Sequence, residues 1–233
     1  MHSALLRFGA VIVAIVVWSP LVSRADEKLP LALKYYMGRE VAQTMHYLGA
    51  PWLTRESRQR EEDGETMLKA LKVQPGQTVC DMGCGNGYYS LKLAKLVGPK
   101  GNVLAVDIQP EMLTLLREAA KKEELSNIKP LLGTLVDPQL PEKAVDLILC
   151  VDVYHEFSHP EQMLAAMRKS LKPGGRIALV EFRLEDENVP IKLEHKMSKE
   201  QILLEYDTNG FKAVEQFDKL PWQHLMFFES KDK

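Results

Sequence analysis

The stretch Val79-Cys80-Asp81-Met82-Gly83-Cys84-Gly85-Asn86-Gly87-Tyr88 constrains the fold more than any other part of the chain. An apolar run enters an acidic residue and then three glycines at alternate positions. Such a loop needs backbone angles that glycine adopts cheaply, and it lets main-chain N–H groups come close to a ligand. The spacing restricts which ligand. A dinucleotide-binding turn, G-x-G-x-x-G, would place a glycine directly after Gly87, where Tyr88 stands. A phosphate-binding P-loop would end in Gly-Lys-Ser/Thr, and no lysine follows these glycines. Asp107 closes the next apolar run, Gly101 to Asp107, twenty residues after Gly87. In an α/β unit, a carboxylate at that strand end reaches the ribose hydroxyls of a nucleoside.

From Pro75-Gly76 onward, short apolar runs alternate with amphipathic segments. The pattern predicts strands at 78–81, 102–107, 128–132, 145–151, 176–182, 212–217 and 224–229. Helices are predicted at 88–97, 110–124, 160–170 and from Ser198 to about Asp207. Pro110 and Glu111 suit a helix start, and Ser198-Lys199-Glu200-Gln201 reads as a capping box, with Asn209-Gly210 as the stop. Alternation of this kind predicts a mostly parallel sheet covered by helices on both faces. Residues 26–65 read as an amphipathic, helical lead-in broken at Gly49-Ala50-Pro51. Its mixed charges between Trp52 and Glu62 suit a solvated helix face with i,i+4 pairs. A second reading makes it a lid with Tyr47, Trp52 and Arg55 facing a pocket.

The loop, Asp107, the run Val145–Cys150 and the turn Leu171-Lys172-Pro173-Gly174-Gly175-Arg176 occur in the order found in class I S-adenosylmethionine-dependent methyltransferases. The loop resembles that family's E/D-x-G-x-G-x-G. The likeness covers roughly residues 66–229 and is closest to the ubiquinone/menaquinone-biosynthesis type of small-molecule methyltransferases. It implies a Rossmann-like, doubly wound, seven-stranded sheet and S-adenosylmethionine as cofactor. It further implies that Asp81, Gly83, Gly85 and Gly87 hold the methionine part of the cofactor and Asp107 its ribose. Ile108 and Met112 would press on the adenine, with Thr134 and Leu135 at its edge. Gly133-Thr134-Leu135 departs from the family's usual Gly-Asp-Ala, which favours a backbone contact from Leu135 over a side-chain contact from Thr134.

In the family the acceptor pocket opens where Asp152, Tyr154 and His155 stand. His155 is the candidate base, because an imidazole titrates near neutral pH and an oxygen or nitrogen acceptor must lose a proton. The same positions also suit residues that only shape the pocket or cap the loop. His155-Glu156-Phe157-Ser158-His159 matches the H-E-x-x-H of zinc peptidases. That mechanism needs both histidines on one face of a continuous helix, whereas Pro160 disfavours helical angles at His159. With no C-x-x-C pair either, no metal site is expected. Cys80 and Cys150 fall near the ends of strands that neighbour each other in this fold. A bridge would require an oxidising compartment, and buried free thiols are the commoner outcome.

The chain of 233 residues, 45% hydrophobic and 27% charged, suits one core. A net charge of -2 and the lack of a basic block with interleaved aromatics disfavour nucleic acid as a partner. Arg7, the apolar run Phe8–Trp18 and Ser23-Arg24-Ala25 have the layout of a secretory signal cleaved after Ala25. The apolar run is about eleven residues, short of the ~20 that a membrane span needs. Export and an intracellular cofactor pull in opposite directions. An uncleaved anchor, or translation from a later methionine such as Met37, would reconcile them. The rival functional reading is an exported protein that keeps the fold and a nucleoside-like ligand without catalysis.

Overall fold

The computed structural model describes residues 29–231, so the expected signal segment lies outside the described residues. Among the described residues, no helix is long and apolar enough to cross a membrane.

The chain opens with two short strands, β1 (Tyr35–Tyr36) and β2 (Arg39–Glu40), followed by a 3-10 helix over Tyr47–Thr54 and two short helices, α1 (Arg58–Glu62) and α2 (Gly64–Ala70). Then follow β3 (Thr78–Met82), α3 (Tyr88–Val97), β4 (Asn102–Asp107), α4 (Pro110–Lys122), β5 (Ile128–Leu132), β6 (Val145–Val151) and α5 (Pro160–Ser170). The last third holds β7 (Leu171–Arg183), β8 (Lys196–Met197), α6 (Lys199–Thr208), β9 (Phe211–Phe217) and β10 (Gln223–Ser230).

The main sheet has the order β5-β4-β3-β6-β7-β10-β9, with β8 added beside β7. Strands β3 to β7 pair in parallel, while β10 runs antiparallel to both β7 and β9. The expected seven strands are present, and the two-residue β8 is the addition. Val79, Cys80, Ile148, Leu149 and Cys150 are fully buried, as central strands covered on both faces require. On one face Ile148 packs with Leu164, Met167, Tyr206 and Phe228. On the other, Leu147 and Leu149 pack with Leu71, Leu93, Val97 and Phe227. All three cysteines are free and buried. Cys80 stands opposite Ile148 and Cys150 opposite Met82, so the two thiols are offset along the ladder.

Two local expectations change. The Lys172-Pro173-Gly174-Gly175 turn lies inside β7 as an irregularity, where pairing steps from Val145–Leu171 to Leu147–Arg176. The lead-in is not chiefly helical. Met37 and Gly38 both take positive φ, 48° and 98°, which closes a tight hairpin between β1 and β2. Nor is the Trp52–Glu62 stretch simply a solvated face, since Arg58 and Glu62 are buried and paired.

The hairpin is held to α6 by a buried ion pair. Arg39 Nε and Nη2 donate to the two carboxylate oxygens of Glu205 at 2.6 and 3.1 Å. Glu205 has no solvent exposure and also accepts from the Tyr154 hydroxyl at 2.7 Å. Removing one partner of such a pair leaves a buried charge uncompensated, at a cost of about 3 kcal/mol or more. Arg39→Met should therefore lower the urea midpoint by that equivalent. Adding Glu205→Gln to the same chain should recover much of the loss; equal, additive losses would show that the pair does not couple.

Candidate active site

The winding of the sheet reverses between β3 and β6, and a cavity of about 680 Å³ opens beyond the carboxyl ends of these strands. Gly83, Gly85, Asp107, Ile108, Met112, Thr134 and Leu135 form its first half. Gly83 and Gly85 have φ of 67° and 53°, and a Cβ on Gly83 would collide with the Val153 side chain. Asp107 organises the loop. Its Oδ2 accepts the Gly85 N–H and its Oδ1 the Gln109 N–H, both at 2.9 Å. Burial raises the Asp107 pKa, against the pull of these N–H groups.

Two residues expected at the cofactor stand behind this wall. Asp81 is buried beneath the loop, where its Oδ2 accepts the Ser90 hydroxyl at 2.6 Å. Gly87 starts α3, and a Cβ there would strike Leu116 rather than enter the cavity. Thr134 does line the cavity, but its hydroxyl oxygen accepts the Asp137 N–H at 2.9 Å and so closes its own turn.

The second half of the cavity is walled by Arg58, Asp152, His155, Glu156, Phe182 and His195. Asp152 sits at φ 50°, with Oδ2 accepting from Gln223 at 2.7 Å and Oδ1 buried without a partner in the protein. Burial, reinforced by Glu62 and Glu181, pushes its carboxyl well above the usual range. His155 follows in a 3-10 turn and is only 2% exposed. Its Nδ1 lies 2.6 Å from Glu181 Oε2 and its Nε2 lies 3.0 Å from His195 Nδ1. Burial by itself lowers the His155 pKa, but the Glu181 carboxylate outweighs it and the net shift is upward. His195 shifts downward through burial and the neighbouring His155. Glu156 is raised to about 7, chiefly by burial.

Tyr154 is the correction in this segment. The 3-10 turn sends successive side chains in different directions, so Tyr154 enters the core and bonds Glu205 while His155 faces the cavity. His159 also turns away, with Nε2 placed 2.8 Å from Pro30 O, so the two histidines of the H-E-x-x-H match do not converge. Arg58, Glu156, Glu181 and His195 join the site without having been assigned to it from sequence. Glu156 stood in the sequence only as part of the H-E-x-x-H match, Glu181 falls within the fifth predicted strand and His195 beyond it, and none of these positions forms a motif for this site.

Residues Gln43–His46, Trp52 and Leu53 cover the cavity from the lead-in. The strap is pinned at its centre: Tyr47 N donates to Gln109 Oε1 at 2.8 Å, Gln109 Nε2 to Met45 O at 2.9 Å, and Met45 N to Glu156 Oε1 at 3.2 Å. Of the three residues in the lid reading, Trp52 lines the cavity, and Arg55 stacks over its ring at 3.7 Å.

A family model described as a methyltransferase domain matches residues 74–226, which hold the loop, Asp107, Asp152–Glu156 and Glu181. The chain belongs to this methyltransferase family. A demethylmenaquinone methyltransferase from Listeria welshimeri is 32% identical over 117 residues, covering 50% of this chain and 49% of that protein. An arsenite methyltransferase from Halobacterium salinarum is 31% identical over 107 residues, 46% of this chain and 27% of that one. The chain thus spans about half the length of the first of these curated relatives and less of the second. A solved S-adenosylmethionine-dependent methyltransferase from Aquifex aeolicus superposes with a TM-score of 0.75 at 27% identity, over 79% of this chain and 98% of that one.

Asp81 gives the site a measurable pH signature. Burial raises its pKa from 3.8 to about 6, although Ser90 and Arg58 pull it down. The folded chain therefore holds this proton more tightly than the unfolded chain. The stability from that proton is complete below 3.8 and is lost as pH rises through about 6. Asp81→Asn keeps an acceptor for Ser90 and removes the ionisation. It should stabilise the ligand-free protein at pH 7.5 by at most about 3 kcal/mol, and the gain should shrink on going to pH 4.5. A gain independent of pH in thermal melts would mean that Asp81 does not titrate in this range.

Proposed function

We propose that the protein transfers a methyl group from S-adenosylmethionine to a small-molecule acceptor. The observation that carries this reading is a continuous cavity that joins the glycine loop and Asp107 to the buried polar wall at Asp152, His155 and Glu156. The cofactor half fits a nucleoside with an amino-acid arm. Asp107 offers carboxylate lone pairs to ribose hydroxyls, Ile108 and Met112 offer apolar surface to a base, and the glycine loop gives close backbone approach.

When bound, S-adenosylmethionine supplies an electrophilic methyl carbon whose bond to sulfur breaks as the acceptor lone pair attacks, with the electron pair returning to sulfur. The chain holds the two reactants together and, for an O–H or N–H acceptor, takes up the proton. His155 is built for the last task. Glu181 fixes its Nδ1 and stabilises the imidazolium, while its Nε2 meets His195 Nδ1 at 3.0 Å on the cavity wall.

The wall around Phe157, Met163, Phe182, Pro190 and Ile191 is apolar, which suits an acceptor with an apolar body and one ionisable group. The likeness to a demethylmenaquinone methyltransferase points the same way. Soft-metalloid chemistry of the arsenite kind would call for thiolate ligands, and none of the three cysteines lines this cavity.

Calorimetric titration with S-adenosylmethionine and S-adenosylhomocysteine tests the cofactor half. Asp107→Ala should weaken both by about tenfold or more, the worth of a hydrogen bond to a charged group; an unchanged Kd would remove the ribose assignment. With a turned-over acceptor in hand, His155→Ala should lower kcat by about a hundredfold. Glu181→Gln should move the acidic limb of the rate profile to lower pH, because His155 loses the carboxylate that raises its pKa.

A further inference from the structure

The acceptor half of the cavity brings together a donor set that none of its members displays alone. His155 and Glu156 come from the turn after β6, and His195 from the 3-10 turn before β8, forty residues on. One ligand atom from each lies within 4.8 Å of the other two. We propose that His155 Nε2, His195 Nδ1 and the Glu156 carboxylate bind a divalent transition-metal ion that contacts the methyl acceptor. The inference deepens the acceptor-pocket reading given above and rests on it for the ion's role, while the binding of the ion does not depend on methyl transfer.

The distances fit such an ion. Two nitrogens each about 2.1 Å from a metal stand about 3.0 Å apart at a right angle and about 3.4 Å apart at the tetrahedral angle. His155 Nε2 and His195 Nδ1 are 3.0 Å apart, with ring planes at 89°. A hydrogen bond would also hold the two rings at this distance, but a shared proton would use only these two donors. A divalent ion would use the Glu156 carboxylate as well.

The surroundings match those of a ligand set. A histidine that binds metal ordinarily gives its other ring N–H to a carboxylate, which fixes the ring and leaves the lone pair aimed at the ion. Glu181 does this for His155 at 2.6 Å, and Glu181 is itself fully buried and held by the Tyr154 and His155 N–H groups at 2.9 and 3.3 Å. Glu156 is oriented by the Met45 N–H of the strap. All three ligands line the cavity, so the remaining coordination positions open on the acceptor.

Two imidazoles and one carboxylate suit Zn²⁺ or a neighbouring first-row ion better than Mg²⁺ or Ca²⁺, which prefer all-oxygen sets. The set differs from that of the H-E-x-x-H peptidases, since His159 is turned to Pro30 and His195 takes its place. An acceptor hydroxyl bound to the ion would become more acidic. Its O–H bond would break with the proton passing to water, and its oxygen lone pair would form the bond to the methyl carbon as the carbon–sulfur bond breaks towards sulfur. With the ion in place, His155 serves as a ligand instead of the base.

The test uses the full chain, stripped with a chelator and free of cofactor, titrated with Zn²⁺ by calorimetry and with Co²⁺ by visible absorption. One equivalent should bind at micromolar Kd or tighter, and His195→Ala and Glu156→Gln should each weaken binding at least tenfold. His159→Asn, which changes the histidine turned away to Pro30, should leave the Kd unchanged. Circular-dichroism melts establish that each variant is folded, and S-adenosylhomocysteine titration of the same samples reads the cofactor half separately. Absence of stoichiometric binding, or binding that survives both His195→Ala and Glu156→Gln in folded protein, overturns the metal site. If S-adenosylhomocysteine still binds in that case, the methyltransferase reading stands without it. Metal binding that behaves as expected in a chain that ignores S-adenosylhomocysteine upholds the site and removes the methyltransferase reading instead.

Discussion

Because β3 and β6 run parallel and side by side, with Met82 in register with Cys150, the chain must leave both strands at the same edge of the sheet. Their apolar runs are buried on both faces, and the carboxylates within them are paired, Asp81 with Ser90 and Asp146 with the Thr78 N–H and Lys172, so a group free to meet a ligand must come after the strands end. Functional residues collect in the first turns beyond that edge for this reason. The glycine loop follows β3 at once, and Asp152 to Glu156 follow β6 at once. Strand β4, paired with β3 on its other side, brings Asp107 to the same level, and its carboxylate ties Gly85 and Gln109 into one rigid cradle. Strand β7, paired with β6, brings Glu181 beneath His155.

The polar wall opposite the cradle is costly to bury, and its arrangement shows how that cost is met. Glu181 satisfies two backbone N–H groups and one imidazole. Glu62 is bonded to Arg58 and Arg55, both at 2.7 Å. Asp152 is the member left short, with one oxygen unpartnered and its carboxyl pushed towards the neutral form. Buried polar groups of this kind contribute less to stability than a well-packed apolar core would. Local rules of folding are most often broken at functional sites, and this wall is where the chain breaks them.

The strand and helix pattern was legible because the sheet is built from runs whose periodicity is intrinsic. Val145–Cys150 reads as a buried strand, and Pro110-Glu111 reads as a helix start, from local residues alone. Asp107 was legible because a glycine loop and a strand-end carboxylate have a fixed separation in such a unit. Tyr154 and His155 were not separable, since neither a period of 2 nor one of 3.6 tells which of two adjacent residues in a 3-10 turn enters the core. His195 belongs to the site through the pairing of β8 with β7, a contact between two-residue stretches that no periodicity announces. The lead-in was read as helix from its amphipathic composition, but Gly38 and Pro51 redirect it into a hairpin and a 3-10 helix.

His155 brings these threads together. Its position is set by the exit of β6, and its tautomer by Glu181 on the neighbouring strand. Its Nε2 lies within hydrogen-bond distance of His195, on the segment that returns to β7. Each of the three constraints comes from a different part of the sheet, so the nitrogen is held by the fold rather than by the loop that carries it. A lone pair held in this way has the same preorganisation for a proton as for a metal ion, because both need one direction and one distance. What separates the two uses is the third donor. Glu156 only adds its charge to a base already oriented by Glu181, whereas it completes a set of ligands on one side of an ion. The strap holds Glu156 through Met45 and also covers the cavity. Closure over the acceptor and completion of the donor set are thus linked through one backbone N–H.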